Sequence, residues 1–319
     1  MALAIMCSGG DAAGMNPAIK KFVDYAHKLN QETYFIYDGL EGLIDNRIKK
    51  ASHKDVAGIM HIGGTILRSS RSKRFFEYEN RERAFKNLQK CGIDGLVVLG
   101  GDGSFRAMDI FSKEFDINFV GIPTTIDNDI NGTEYCLGAD TALNVIREAL
   151  DKIRDTASSF NRAFVVEVMG RNCGYLAIVS SIISGAEVCV VPEVSFKKEA
   201  LAKRLRNEVE NGRRYILAII SEGTKSTYDI GTWIQDEIGL ETRISILGHI
   251  QRGGNPTVHD RMMAFEFTIG AIDHLMEFKN ANKVIVYNKG EFQLIDIEEV
   301  VSQTYKVPAK LLNAINYLD

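Results

Sequence analysis

Short apolar runs rich in β-branched residues recur along the chain, and they constrain its fold more than any other feature. Between them lie stretches whose apolar residues repeat at helical spacing. Because each run is apolar on both faces, it suits a parallel strand that helices cover on both sides. The sequence therefore predicts an α/β fold with a mostly parallel sheet. The predicted strands are Leu3–Cys7, Glu32–Tyr37, Gly95–Leu99, Ile117–Ile122, Ala163–Val168, Val188–Val191, Tyr215–Ile220, Ile244–Leu247 and Lys283–Tyr287.

The longest helical pattern lies between the fourth and fifth runs. Ala142, Ile146 and Leu150 repeat with helical spacing there, which predicts a helix from Ala139 to Ser158. A chain of 319 residues is long enough for about two domains, so this helix is the expected crossover between two lobes. Near the N-terminus, Asn16-Pro17 predicts a helix start, with Asn as N-cap and Pro in the first helical position.

Composition excludes several classes of protein. With 45% hydrophobic residues the chain can bury a core and is not disordered. The net charge of −4 argues against a nucleic-acid partner and gives no signal for an anionic membrane. Five scattered cysteines and the absence of a signal-peptide pattern predict a protein of the reducing cytoplasm. The apolar stretch from Tyr175 to Val191 predicts a buried helix and strand rather than a membrane span.

Three non-random loops follow predicted strands of the first half. Ser8–Asn16 and Gly100–Ser104 are rich in glycine, and Pro123–Asp129 carries two carboxylates, Asp127 and Asp129. Ligands of open α/β sheets bind past the carboxyl ends of strands, where glycine loops expose backbone N–H groups to phosphate. Alone, each glycine loop is as typical of a tight turn as of a phosphate site. Alone, the two carboxylates are more typical of an Asx turn than of a ligand site. The joint occurrence of the three loops favours a phosphate site with room for Mg²⁺.

The second half supplies cations after its own strands. Met169-Gly170-Arg171, Ser221-Glu222-Gly223 and the segment Leu247–Gly254 each follow an apolar run. Arginine grips phosphate with two hydrogen bonds, and a carboxylate such as Glu222 accepts hydrogen bonds from sugar hydroxyls. The alternative is that the arginines form surface ion pairs and that the histidine is structural. The candidate phosphate ligands are Arg162, Arg171, Arg243, His249 and Arg252.

Together these motifs strongly resemble the bacterial-type ATP-dependent 6-phosphofructokinases. The matching strings are SGGDAAGMN, GGT, GGDGS, TIDNDI, RDT, VVEVMGRNCG, VVPE, SEG, ETR and LGHIQRGG. The resemblance implies two Rossmann-like three-layer lobes, with an ATP lobe at 1–138 and 252–304 and a fructose 6-phosphate lobe at 139–251 and 305–319. It also implies the committed step of glycolysis, in which ATP phosphorylates the 1-hydroxyl of fructose 6-phosphate.

The resemblance implies roles for individual residues. Asp127 is the expected base, Thr125 and Arg171 steady the transferred phosphoryl group, and Asp102 and Asp129 hold Mg²⁺. Arg162 and Arg243 are expected to reach the sugar phosphate from a neighbouring subunit of a homotetramer. The ATP-binding set is Gly10, Arg71, Asp102, Gly103 and Ser104. The sugar-binding set is Thr125, Asp127, Asp129, Arg162, Met169, Gly170, Arg171, Glu222, Arg243, His249 and Arg252.

Two alternatives stay open beside this interpretation. A pyrophosphate-dependent relative is disfavoured by Gly103 and Thr124, because that class carries Asp and Lys there. A non-catalytic sugar-phosphate sensor is disfavoured by the intact set of reactive residues. Three residues on the adenine side depart from the family pattern: Leu40, Ser72 and Ala107.

The regulatory site for ADP or phosphoenolpyruvate also departs from the family pattern. The resemblance implies effector ligands at Lys20, Arg154, Glu187 and Arg213. Four residues of that site differ from the family: Asp24, His53, Asn211 and Tyr215. Because cations are lost where an anion should bind, we expect an altered effector response.

Overall fold

The computed structural model describes residues 1–279 and 282–318, which form two compact units. Unit 1 comprises Met1–Thr141 and Arg252–Tyr305, and unit 2 comprises Ala142–Gln251 and Lys306–Asp319. The strands are β1 Ala2–Ser8, β2 Glu32–Ile36, β3 Ile48–Lys50, β4 Gly95–Gly100, β5 Phe119–Pro123, β6 Ala163–Val168, β7 Val188–Val190, β8 Ile216–Ser221, β9 Thr242–Ile246, β10 Lys283–Asn288 and β11 Glu291–Asp296. The helices are α1 Met15–Lys28, α2 Gly39–Ile44, α3 Tyr78–Lys90, α4 Asp102–Glu114, α5 Ala139–Phe160, α6 Tyr175–Ser184, α7 Lys198–Glu210, α8 Thr227–Ile238, α9 Val258–Glu277, α10 Ile297–Ser302 and α11 Ala309–Ala314.

Unit 1 is a three-layer sandwich around a seven-stranded sheet of order β11-β10-β5-β4-β1-β2-β3. The central pairs are parallel, and only the outer strands β3 and β11 run antiparallel to their neighbours. Along β1, Leu3 and Ile5 pack into a core with α1 and α9, whereas Ala4 and Met6 pack into a second core with α3 and α4. Both faces of the central sheet are therefore buried, as the doubly apolar runs predicted.

Unit 2 has a smaller sheet of four parallel strands in the order β7-β8-β6-β9. Leu205 of α7 and Ile230 of α8 share a core with residues of β6 and β8. Helix α6 packs against β7 and β8, which confirms the buried helix and strand expected from Tyr175 to Val191.

The predicted α/β class and all nine predicted strands are confirmed, with boundaries that differ by no more than two residues. The long helix is also confirmed as α5, and Ala142, Ile146 and Leu150 are buried as its pattern required. The sequence missed β3 and β11. Both lie at the edges of the sheet, where exposed residues such as Lys49 and Lys50 leave no continuous apolar run.

The predicted role of Asn16 as an N-cap is wrong. Helix α1 begins at Met15 after Gly14, so Asn16 lies inside its first turn. Its side chain is buried and clamps a distant loop, donating to the carbonyl of Ile62 at 3.0 Å and accepting from the N–H of Ile66 at 2.8 Å. Pro17 is tolerated because the first helical turn needs no N–H partner within the helix.

Two further expectations concern cysteines and membrane spans. None of the five cysteines, all of which lie within the described residues, forms a disulfide. Within residues 1–279 and 282–318, no helix has the length and apolar character needed to cross a membrane.

Candidate active site

The three loops that the sequence singled out in the first half begin side by side. Ser8 at the end of β1 is in register with Gly100 at the end of β4, and Gly100 is in register with Pro123 at the end of β5. These parallel strands therefore end at one edge of the sheet. We call the segments that follow them the first glycine loop (residues 8–16), the second glycine loop (100–104) and the acidic loop (124–129).

The first glycine loop is held by backbone contacts and lies against a cation. Gly9 has a φ of +91°, and its N–H donates to the carbonyl of Ser70 at 3.0 Å. Arg252 Nη1 donates to the carbonyl of Asp11 at 3.2 Å. A Cβ placed on Gly10 would lie 2.7 Å from the same Arg252 nitrogen. Gly10 thus allows Arg252 to approach the loop backbone, and Arg71, next to Ser70, is exposed. The arrangement suits an anion.

The second glycine loop opens into the N-terminus of α4. Asp102 is the first residue of the helix, and a Cβ placed on Gly103 would meet no atom within 4 Å. Ser104 donates from its hydroxyl to that of Ser8 at 2.9 Å, which ties the two glycine loops together. Arg106 Nε donates to Asp102 Oδ2 at 2.8 Å, and this hydrogen bond raises the pKa of Arg106. The loop leaves open space beside a carboxylate and the positive end of a helix.

The acidic loop is rigid. Asp127 is fully buried, and its N–H donates to Thr125 Oγ1 at 3.2 Å. Asn128 has a φ of +50°, and its Oδ1 accepts from the N–H of Cys136 at 2.7 Å. The N–H of Thr125 donates to the carbonyl of Leu137 at 3.1 Å. The two carboxylates therefore flank a residue that the following segment locks in the left-handed conformation.

The carboxylates of unit 1 fit a metal that arrives with a nucleotide. Among the described residues, no three His, Cys, Asp or Glu side chains gather as ligands. Mg²⁺ bound to a nucleotide needs only one or two carboxylates, because phosphate oxygens and waters complete its shell. The side chain of Asp102 is 40% exposed beside the open space at Gly103, so this donor set fits Mg²⁺ on phosphate.

The carboxyl edge of the unit 2 sheet carries the second group of site residues. The N–H of Met169 donates to Gln251 Oε1 at 3.1 Å, and the N–H of Arg171 donates to Glu222 Oε1 at 2.8 Å. Arg171 has a φ of +51°, and a Cβ placed on Gly223 would lie 1.9 Å from its carbonyl oxygen. The backbone of Arg171 is therefore clamped, while its side chain is exposed. One oxygen of Glu222 serves this clamp.

Arg162 and Arg243 lie at the other end of the same strands. Phe164 of β6 is in register with Arg243 of β9, and Arg162 immediately precedes β6. Both arginines form ion pairs with Glu241, that of Arg162 at 2.6 Å. A strand of six residues spans roughly 20 Å. In a single chain, both arginines therefore lie about one strand length from Arg171. Their expected role at the sugar phosphate of a neighbouring subunit stays a prediction.

Comparisons with known proteins agree with this architecture. A family model described as Phosphofructokinase matches residues 2–275. The chain is 56% identical over 312 residues to the ATP-dependent 6-phosphofructokinase of Sulfurimonas denitrificans, and the match covers 98% of each chain. The chain belongs to the phosphofructokinase family.

Solved structures of the family share the fold. The phosphofructokinase of Saccharomyces cerevisiae matches all of this chain with a TM-score of 0.91 and 33% identity. The chain spans about half of that larger protein, 47% of its length. A pyrophosphate-dependent phosphofructokinase from Marinobacter aquaeolei, 22% identical, matches 97% of the chain and 86% of its own with a TM-score of 0.84. The predicted phosphofructokinase fold is thus confirmed, and it is common to enzymes with different phosphoryl donors.

Several residues that position the site residues were not predicted from the sequence. Gln251 is buried and positions Met169, and Glu241 pairs with both distant arginines. The signal for Glu241 is its place two residues before Arg243 in the ETR string. Asp260 is buried beside the segment that locks the acidic loop. Its only signal is the spacing Thr257-x-x-Asp260, typical of a helix start.

Two of the predicted effector cations, Lys20 and Arg213, form ion pairs with carboxylates. In unit 1, Lys20 Nζ lies 2.8 Å from Asp24, which also accepts from His53 Nδ1 at 3.0 Å. In unit 2, buried Glu187 forms an ion pair with Arg213, which also lies 2.9 Å from Glu208. Burial raises the pKa of Glu187. These contacts pair Lys20 and Arg213 with carboxylates of the chain itself.

Proposed function

We propose that this protein transfers the γ-phosphoryl group of ATP to the 1-hydroxyl of fructose 6-phosphate, giving fructose 1,6-bisphosphate and ADP. This is the committed step of glycolysis. The observation that carries the proposal is the alignment of Ser8, Gly100 and Pro123, which brings two glycine loops and the acidic loop to one sheet edge. Phosphate, metal and base are needed together at such an edge for phosphoryl transfer.

Asp127 acts as the base of this reaction. The sugar oxygen attacks the γ-phosphorus, its proton passes to the Asp127 carboxylate, and the bond from phosphorus to the bridging oxygen breaks to release ADP. Phosphoryl transfer depends on positioning and charge neutralisation more than on covalent help. Thr125 and Arg171 steady the phosphoryl group in transit. Asp102 and Asp129 would hold Mg²⁺, which neutralises phosphate charge when bound.

The remaining residues bind the two substrates. Unit 1 is the nucleotide lobe, where Gly10, Arg71, Gly103 and Ser104 accommodate the phosphates of ATP. Unit 2 is the sugar lobe, and Met169, Gly170, Glu222 and His249 contact fructose 6-phosphate together with Arg252. Leu40 and Ala107 are buried in the core, so the purine packs differently from the family pattern.

The choice of ATP over pyrophosphate follows from the second glycine loop. The space beside Gly103 is open, and Thr124 is a buried neutral residue. An Asp at position 103 would occupy the space that the α-phosphate of ATP requires. The curated relative is also named as ATP-dependent.

A coupled assay with fructose 6-phosphate and ATP, GTP or pyrophosphate as donor tests the proposed function. We expect turnover with ATP in the presence of Mg²⁺ and little with pyrophosphate. Preference for pyrophosphate would assign the chain to the other branch of the fold. Fructose 6-phosphate binding without turnover by any donor would favour the sugar-phosphate sensor.

The position of Arg162 and Arg243 supports an oligomer. Both lie at the amino edge of the unit 2 sheet, away from Met169 and Arg171. We therefore assign them to the sugar phosphate of a neighbouring subunit, in a cytoplasmic homotetramer. Light scattering of the purified protein measures the mass directly, and a monomeric mass with full activity would contradict the assignment.

We expect a weak or altered response to ADP and phosphoenolpyruvate. Asp24, His53, Asn211 and Tyr215 replace residues of the family effector site and leave it with fewer cations. Two of the remaining cations, Lys20 and Arg213, are paired with carboxylates. Less positive charge weakens anion binding. Titrating either effector against fructose 6-phosphate saturation measures the response. A large shift of the conventional sign would contradict this expectation.

A further inference from the structure

Asp260, outside the proposed catalytic set, is fully buried in unit 1 and accepts four hydrogen bonds. Its Oδ1 accepts from the hydroxyl of Tyr135 at 2.5 Å and from the N–H of Gly138 at 2.6 Å. Its Oδ2 accepts from the N–H of Thr141 at 2.8 Å and from the hydroxyl of Thr141 at 2.5 Å. All four donors belong to one short segment, residues 135–141.

A buried carboxylate is expensive to retain unless its oxygens are satisfied. Asp260 is the third residue of α9, and Thr257 caps this helix by accepting from the N–H of Asp260 at 3.2 Å. The positive end of the helix and four donors stabilise the negative charge there. Burial and the Asp260 charge raise the pKa of Tyr135 well above its ordinary value, so its hydroxyl remains a donor.

The 135–141 segment is in turn bonded to the acidic loop. The N–H of Leu137 donates to the carbonyl of Pro123 at 2.9 Å, and the carbonyl of Leu137 accepts from the N–H of Thr125. Cys136 donates to Asn128, the residue between Asp127 and Asp129. A chain of hydrogen bonds therefore runs from Asp260 through this segment to the loop that carries both carboxylates.

The same segment also contacts the first glycine loop. Gly138 has a φ of +98°, and a Cβ placed there would lie 2.5 Å from the Cβ of Ala12. The N–H of Gly138 donates to Asp260, so the same residue makes both the close approach to Ala12 and the hydrogen bond to Asp260. A shift of the segment would therefore disturb two of the three loops at this edge.

We propose that Asp260 is a positioning residue, which fixes the acidic loop in its reactive geometry through the 135–141 segment. The importance of Asp260 for phosphoryl transfer rests on the proposed function. Its effect on the position of the acidic loop does not depend on which reaction the protein catalyses. Asp260 acts through Tyr135, Gly138 and Thr141. A misplacement of about 1 Å in a reacting group costs on the order of 100-fold in rate.

The variant Asp260→Asn tests this proposal with little change of shape. Its amide NH₂ would face the N–H of either Gly138 or Thr141. The hydroxyls of Tyr135 and Thr141 can rotate to accept from it, but a backbone N–H cannot. Thr268→Val is the matched control, because Thr268 is a buried residue of α9 whose hydroxyl donates within the helix to Ala264 at 2.7 Å.

Hydrogen exchange gives a readout that needs no substrate. In Asp260→Asn, we expect exchange of the Thr125 and Asp127 amides to be at least about tenfold faster than in Thr268→Val. Unchanged protection of these amides would overturn the proposal, even if the wild-type protein had no kinase activity. A wild type without such activity would refute only the proposed function.

Kinetics give the second readout. In Asp260→Asn, we expect kcat to fall about 100-fold and the KM for ATP to rise by much less, because Arg71 and Asp102 lie outside the two loops that the segment contacts. A fall in activity no greater than in Thr268→Val would show a merely structural role. If Asp260→Asn does not fold, Thr141→Val carries the test, with recovery in Thr141→Ser as the expected result.

Discussion

The carboxyl edges of the two sheets occupy equivalent places in their units but differ in how their key side chains are held. At the edge of unit 1, Asp102, Asp127 and Asp129 follow the strands, and side-chain hydrogen bonds from Asn128 fix the acidic loop. At the edge of unit 2, Arg171 is fixed through its backbone, between Glu222 and the small residue Gly223. Under the proposed function, the base and the metal ligands would come from unit 1, and unit 2 would provide a preorganised cation.

The largest expected effect comes from Asp127→Ala in unit 1. Loss of a general base lowers kcat by about 10²- to 10⁴-fold. Fructose 6-phosphate should still bind, because the cations of unit 2 are unchanged. A coupled assay and calorimetric titration with the sugar phosphate measure the two quantities. Asp116→Ala, an exposed carboxylate that precedes β5, is the control. Near-normal turnover of Asp127→Ala would show that unit 1 does not supply the general base.

A smaller effect is expected from Gly170→Ala in unit 2. Gly170 has a φ of +133°, and a Cβ placed there would lie 2.4 Å from the carbonyl oxygen of Cys173. We expect a loss of about 1 to 3 kcal/mol in stability and a lower kcat, since Arg171 follows directly. Gly239→Ala is the control, because its φ is +79° but no atom lies within 4 Å of the added carbon.

Both variants strain the backbone, but only Gly170→Ala adds a clash. The melting temperature and kcat of the two variants therefore separate the effect of backbone strain from that of the clash. We expect Gly170→Ala to melt below Gly239→Ala and to lose activity, while Gly239→Ala keeps its kcat. Equal melting temperatures and equal activity would mean that the backbone geometry of Arg171 is not important for turnover.

The smallest effect is expected from Arg243→Ser at the amino edge of unit 2. Removing one charged hydrogen bond to the sugar phosphate costs about 1.5 kcal/mol, or roughly tenfold in affinity. The KM for fructose 6-phosphate should rise while kcat changes little. Arg206→Ser is a matched control, because Arg206 also forms an exposed ion pair, with Glu237. An unchanged KM in Arg243→Ser would count against the shared site.

The sequence predicted the features that depend on short stretches of chain. The apolar runs located the strand ends, and the strand ends located the glycine loops and the acidic loop. It did not predict which residues secure those loops, because Asn16, Gln251 and Asp260 contact partners that are far away in the sequence or inconspicuous beside a helix start.

The sequence motifs also did not show where Arg162 and Arg243 lie in the sheet of unit 2. The parallel register of β6 and β9 puts both residues at the amino edge. Register is a property of strand pairing, which a list of motifs does not contain. The edge strands β3 and β11 were missed because their half-exposed residues produce neither a buried run nor a clean alternation.

The order of strands in the unit 1 sheet has a consequence for synthesis on the ribosome. Strand β5 lies between β4 and β10, but β10 follows all of the main segment of unit 2 in the chain. At about 5 to 20 residues per second, the roughly 160 intervening residues take about 10 to 30 seconds to translate. During that time the edge of β5 that later pairs with β10 has no partner strand. The nascent chain therefore depends on chaperones, or on the part of its core that has already formed, for protection from aggregation.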